Sequence, residues 1–309
     1  MTPGGEFDWI ERLLRPLTRG APEALDLLDD AAVLPSRPGF DLAVTKDAMV
    51  AGVHFLPDDP PDLVARKLLR VNLSDLAAKG AEPYGAFLAI AWPAGTDWAF
   101  KEIFVRGLAQ DGEAYRLPLL GGDTVSTPGP LTLSATLLGW VPAGEAVLRR
   151  GAQPGDVLAV SGPIGDGWLG LDDAKRGLEG RLADLYRLPE PRLDLLSSIR
   201  KAAAAADISD GLLADAGHIA KASGCAVRIE LDRTPLSSEA AAWLAAQPDR
   251  TQALLQLATG GDDYQVAAAF RGAVPEGFTA IGAFEAGRGV HVVAGGAAVA
   301  VDRLGWSHA

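Results

Sequence analysis

The chain has 309 residues, of which 48% are hydrophobic and 22% charged, so it can bury an ordinary globular core and is long enough for two domains. Its net charge of −12 excludes a surface built for a nucleic-acid backbone or an anionic bilayer. The single cysteine, Cys225, excludes an internal disulfide and a cysteine-based zinc site.

Met1–Trp9 lacks a basic stretch followed by an apolar one, and no apolar run reaches the ~20 residues of a membrane helix. A cytoplasmic location is therefore expected. In chain order, apolar spacing predicts a helix over 6–19, then a strand over 41–45 and a helix over 61–79. A strand over 85–92, a helix over 96–115 and strands over 117–121 and 131–141 complete a mixed α/β half. The pattern breaks around Pro142–Pro154, which sets the expected domains at 1–145 and 146–309. In the second half, strands are expected over 156–161, 226–231, 264–270, 278–284, 290–294 and 298–302. Helices are expected over 165–176, 192–205, 212–223 and 238–246, with the run Ala202–Ala206 in a helix because alanine is the strongest helix former.

Two patterns mislead. Gly165, Gly167 and Gly170 follow a strand as G-x-G-x-x-G, but no second strand with an acid at its end follows soon enough for a dinucleotide site. An ordinary glycine-rich turn into a helix is the better reading. The four histidines, His54, His218, His291 and His308, are scattered and form no zinc-helix spacing.

The pattern that carries chemistry is aspartate at strand ends beside Gly, Ser or Thr. It occurs at Asp29-Asp30, Asp47, Asp75, Asp123 and Asp207–Gly211, and more weakly at Asp262-Asp263. Each alone reads as a turn or helix cap. Together they form a hard-oxygen set suited to Mg²⁺ and a nucleotide triphosphate. Asp75 is the sharpest case, since it interrupts a helical apolar stretch where aspartate is a poor helix former.

These segments resemble the thiamine-monophosphate kinase family, within the aminoimidazole-ribonucleotide synthetase superfamily. The matching stretches are DDAAVL (29–34), GVHF (52–55), NLSDLAAKGAEP (72–83), GGDT (121–124), RRGAQPGD (149–156), DISDGLLADAGHI (207–219) and GGDDY (260–264). The resemblance implies two α/β domains, with the N-terminal domains of a homodimer sharing a β-barrel. It implies transfer of the γ-phosphoryl of ATP to thiamine monophosphate with Mg²⁺, by positioning and charge neutralisation, without a general base. Asp30, Thr45, Asp47, Asp75, Asp123, Asp207 and Asp210 would hold the metal. Gly122, Arg149 and Ser209 would contact ATP, and His54, Asp262 and Trp306 the substrate.

Two departures stand out. Leu27-Leu28 occupy positions where the family has glycines, and Lys46 stands where it has a hydroxyl residue beside the metal-binding Thr45 and Asp47. The Lys46 ammonium either lies among the metal sites as a fixed cation beside phosphate or points to solvent. The alternatives to the kinase are a non-catalytic nucleotide-binding homologue and another ATP-dependent enzyme of the superfamily.

Overall fold

The computed structural model describes residues 6–307, so His308 lies outside the described residues. Two compact units form. The first comprises the chain up to Leu76 and Ala81–Gly144, the second Ala77–Gly80 and Glu145 onward. Among the described residues no helix is long and apolar enough to cross a membrane.

The first unit does not begin with the single helix expected over 6–19. A short α-helix (α1, Glu6–Trp9) passes into a π turn (Ile10–Leu14) and then a 3₁₀ turn (Arg15–Thr18). Pro16 explains the tightening, since its ring and missing N–H are incompatible with an α-helix interior. A second 3₁₀ segment, Pro22–Leu27, carries Leu25, Asp26 and Leu27 at φ of 48°, 57° and 56°, in the left-handed region. These precede Asp29-Asp30, where the family has glycines.

Four strands then form an open sheet in the order β1-β4-β2-β3: β1 (Phe40–Val50), β2 (Glu82–Pro93), β3 (Leu119–Thr127) and β4 (Thr132–Pro142). Within one chain it is not a closed barrel. Strand β1 outruns its expected span by one residue at its start and five at its end because its pairing to β4 continues from Phe40↔Pro142 to Val50↔Thr132. Helices α2 (Pro61–Ala78) and α3 (Trp98–Ala114) cover the face that carries Ala86, Leu88, Leu133, Ala135 and Leu137. Asp111 of α3 is buried and accepts from Arg66 Nε (2.9 Å) and Arg70 Nε (2.6 Å) of α2, which fixes the rotation of α2. On the other face, Ala24, Leu27, Ala32 and Leu34 pack on Leu120, Leu138 and Phe87. Leu42, Val44 and Val125 remain exposed.

The second unit contains β5 (Val157–Val160), α4 (Asp166–Lys175), α5 (Arg181–Arg187), the single turn α6 (Leu196–Ile199), β6 (Ala204–Asp207), α7 (Leu212–Ser223) and β7 (Ala226–Glu230). It continues with α8 (Ser238–Ala245), α9 (Arg250–Thr259), β8 (Val266–Phe270), β9 (Thr279–Glu285), β10 (Gly289–Ala294) and β11 (Ala297–Val299). The strands form one sheet in the order β11-β10-β7-β9-β5-β8-β6. Its two faces bury two apolar clusters.

From Ala204 the alanine run is a strand and not a helix. Ala204 and Ala206 enter one cluster and Ala205 the other, so the two-residue alternation serves both faces at once. Pairing with Ala267–Ala269 of β8 completes the fit. Helix α9 answers to no expected element, although Asp249 caps it by accepting from the Gln252 N–H at 3.0 Å.

Candidate active site

In the first unit, one group forms between β1 and α2. Thr45 and Asp47 share the covered face of β1, opposite buried Leu137 and Ala135. The Thr45 hydroxyl donates to Asp75 Oδ2. Burial, and after it the negative charge of Asp75, push the Asp47 carboxyl up to about 6. Asp75 is not a cap. It lies in the last turn of α2, the negative end of the helix dipole, and that turn has no basic residue. Two carboxylates and a hydroxyl thus converge where the local field is already negative, a donor set that fits a hard divalent cation.

Lys46 does not join them. Side chains alternate along a strand, so its ammonium projects from the opposite face, where it donates to Ser134 Oγ (3.0 Å) and Thr136 Oγ1 (3.4 Å) of β4. Of the two alternatives for Lys46, the one that places its ammonium among the metal sites is thereby corrected: the side chain lies on the other face of β1. The alternation reaches residue 46 because β1 runs through it.

A second group lines a cavity of about 550 Å³ that brings Asp29, Asp30, Gly121, Gly122 and Asp123 together. Asp29 Oδ1 accepts from the Asp30 N–H at 2.8 Å and Asp123 Oδ1 from the Thr124 N–H at 2.8 Å. Gly122 pairs with Leu88 of β2, and a Cβ there would lie 2.2 Å from the Leu88 carbonyl oxygen. The close approach of β3 to β2 therefore requires glycine at 122. His54 follows β1, and its Nδ1 accepts from the Val50 N–H at 3.0 Å, which assigns the ring proton of the neutral form to Nε2.

In the second unit, β6 delivers Asp207, buried, to a loop ending at Gly211. That loop wraps Asp215 of α7, whose Oδ2 accepts from the N–H groups of Ser209 (3.1 Å), Asp210 (3.1 Å) and Gly211 (3.2 Å). Burial and then Asp210 push the Asp215 carboxyl up to about 7, against the N–H donors and the positive charge of Arg149. Two further segments clamp the loop. The Asp262 N–H donates to Ser209 O (2.9 Å) and the Trp306 N–H to Asp210 O (2.9 Å). Asp207, Ser209, Asp210, Asp262 and Trp306 are thereby neighbours, although the sequence separates them by up to 99 residues. Arg149 is exposed, and its charge reaches Asp215.

The G-x-G-x-x-G turn is structural. Buried Asp263 accepts from the N–H groups of Gly165 (2.9 Å) and Gly167 (3.1 Å), so a carboxylate of the chain fills the start of α4. Burial pushes the Asp263 carboxyl up to about 8. A Cβ at Gly167 would lie 2.1 Å from Asp262 O, so the turn also supports Asp262. Sequence reasoning missed Asp215, His218 and Asp263 as organising residues. Asp215 and His218 had a signal, their i, i+3 spacing on one helix face.

Residues 28–141 match the model for "AIR synthase related protein, N-terminal domain" and residues 153–303 that for its C-terminal domain. The thiamine-monophosphate kinase of Caulobacter vibrioides is 59% identical, with 99% of this chain and 91% of that protein covered. The crystal structure of thiamine-monophosphate kinase from Stenotrophomonas maltophilia K279a is similar at a TM-score of 0.80 and 35% identity, covering 92% and 95% of the two chains. A structure described as AaThiL complexed with AMPPCP and TMP is similar at a TM-score of 0.80 and 30% identity, covering 98% and 97%. The chain belongs to the thiamine-monophosphate kinase family of AIR synthase related proteins.

Proposed function

We propose that this chain is a cytoplasmic, Mg²⁺-dependent kinase that transfers the γ-phosphoryl of ATP to thiamine monophosphate, giving thiamine diphosphate and ADP. The observation that carries the reading is the Thr45–Asp47–Asp75 group, two carboxylates facing each other at the negative end of α2. When bound, Mg²⁺ supplies the positive charge that lets two phosphate groups approach. The acceptor is a phosphate oxygen that is already anionic, so no residue need act as a base, and the protein's task is positioning.

Asp30, Thr45, Asp47, Asp75 and Asp123 in the first unit, and Asp207 and Asp210 in the second, hold the metal in this reading. Gly122, Ser209 and Arg149 contact the nucleotide, while His54, Asp262 and Trp306 contact the thiamine substrate. A coupled ADP-release assay tests it. ADP release that requires thiamine monophosphate and stops on metal chelation is expected. No release under any condition would identify a non-catalytic homologue, and release with a different acceptor another enzyme of the superfamily.

Lys46 gives a sharper check. With its ammonium on the far face of β1, Lys46→Thr leaves the dependence of rate on Mg²⁺ unchanged, and the titrations of variant and parent superimpose. A steeper dependence in the variant would return the ammonium to the phosphates.

The reading includes a homodimer. Leu42, Val44 and Val125 lie exposed on the face away from α2 and α3, beyond the part that residues 24–34 cover, on an open sheet with edges at β1 and β3. A second copy packed there would bury them and complete a shared barrel. Light scattering should give about twice the 32.1 kDa chain mass. Val44→Asp, which places a charge where Val44 is 60% exposed, should give the monomer. A parent protein that is monomeric and active would remove the shared barrel.

A further inference from the structure

Asp215 is 1% exposed, and its two oxygens are treated differently. Oδ2 receives three backbone N–H groups, whereas Oδ1 is buried without a hydrogen-bond partner. A buried carboxylate oxygen left this way is costly unless a cation meets it. Asp210, half-buried, and His218, exposed, each offer a ligand atom, and these two atoms and one carboxylate oxygen of Asp215 lie within 4.8 Å of one another. Two ligands on one ion at ~2.1 Å stand ~3–4.2 Å apart, so closure requires less than ~1 Å of movement. The exposed His218 ring can supply that movement. Asp215 and His218 are one turn apart on α7, the i, i+3 carboxylate–histidine spacing that puts two ligands on one side of a helix.

We propose that Asp210, Asp215 and His218 form a mixed nitrogen–oxygen site for a divalent transition metal such as Mn²⁺, Co²⁺ or Zn²⁺. An imidazole ligand distinguishes this site from the all-oxygen groups of the first unit, because nitrogen favours these metals over Mg²⁺. Three protein ligands leave coordination positions for water or a ligand. Asp210 and His218 also line a cavity of about 1130 Å³, together with Arg288, Arg303 and Trp306. The N–H donors on Oδ2 orient the Asp215 carboxylate, as outer hydrogen bonds do for metal ligands. The site lies within the second unit and shares Asp210 with the Mg²⁺ set of the proposed function, to which Asp215 and His218 add the ligands that select a transition metal.

The test is a Co²⁺ titration of the metal-free full chain, without nucleotide and with Mg²⁺ in large excess to occupy the hard-oxygen sites. Visible ligand-field absorption and equilibrium dialysis report the cobalt. One Co²⁺ per chain that Mg²⁺ does not displace is expected. In His218→Ala its affinity should fall ~10–100-fold and its absorption bands shift. Because His218 is exposed, the variant should fold, which an unchanged thermal melt verifies. His291→Ala, which alters another exposed histidine, should leave the cobalt site intact. Displacement of all cobalt by Mg²⁺, or identical binding and spectra in parent and His218→Ala, would overturn the proposal.

Discussion

Asp75→Asn is expected to lower phosphoryl transfer by at least ~10²-fold while the metal-free protein loses no stability. Asparagine keeps the shape of the side chain and an oxygen that can accept from the Thr45 hydroxyl. It removes a negative charge from the last turn of α2 and from the neighbourhood of Asp47, where both are unfavourable without a cation. The Asp47 carboxyl, raised partly by Asp75, should then titrate closer to the ordinary carboxylate range. A purely structural aspartate behaves in the opposite way, with activity retained and stability lowered. Steady-state turnover and a thermal melt, both on the same preparation, separate the two. Turnover within a few-fold of the parent would remove Asp75 from the metal set.

Gly122→Ala is expected to cost about 3 kcal/mol of stability and to abolish nucleotide binding. The Cβ it adds falls 2.2 Å from the Leu88 carbonyl oxygen, which belongs to the backbone of β2 and cannot change rotamer. Relief requires β3 to separate from β2, which displaces Asp123 with it. Gly129→Ala is the matched control, since its new Cβ would only touch Thr127 Oγ1 at 3.4 Å. That change should stay within ~0.5 kcal/mol. Chemical denaturation and binding of a non-hydrolysable ATP analogue measure both variants. Equal stability of the two would mean that β3 yields freely at its edge.

These two residues also mark how far the sequence could be read. Asp75 was legible because an aspartate inside an apolar helix breaks a local rule, and its place at the negative helix end sharpens that misfit. The strand-end aspartates beside glycine were legible for a related reason, since glycine keeps the backbone bare where a phosphate approaches. Lys46 was not legible. Thr45, Lys46 and Asp47 interrupt the apolar pattern, so the end of β1 was hidden and with it the face to which residue 46 belongs. The Ala202–Ala206 run was misread because helix propensity is a weak prior. A strand buried on both faces and paired with another alanine strand overrides it. The backbone-organising roles of Asp215 and Asp263 were out of reach for a different reason. Their partners are backbone N–H groups, and backbone groups leave no trace in a residue pattern.

The left-handed run Leu25–Leu27 bears on how the first unit comes apart. Left-handed backbone costs an L-residue ~1–2 kcal/mol, less for aspartate, so this short arm stores a sizeable share of the unit's net stability as strain. Ala24 and Leu27 packing on Leu120 and Leu138, and the Tyr84 hydroxyl donating to Glu23 (2.9 Å), hold it in place. The arm is thus a loaded spring, and its amides should exchange with solvent through local opening well before those of β4 at the centre of the sheet. Any ligand that engages Asp29 or Asp30 must work against that recoil. Its binding would therefore register first as slowed hydrogen exchange in residues 22–33.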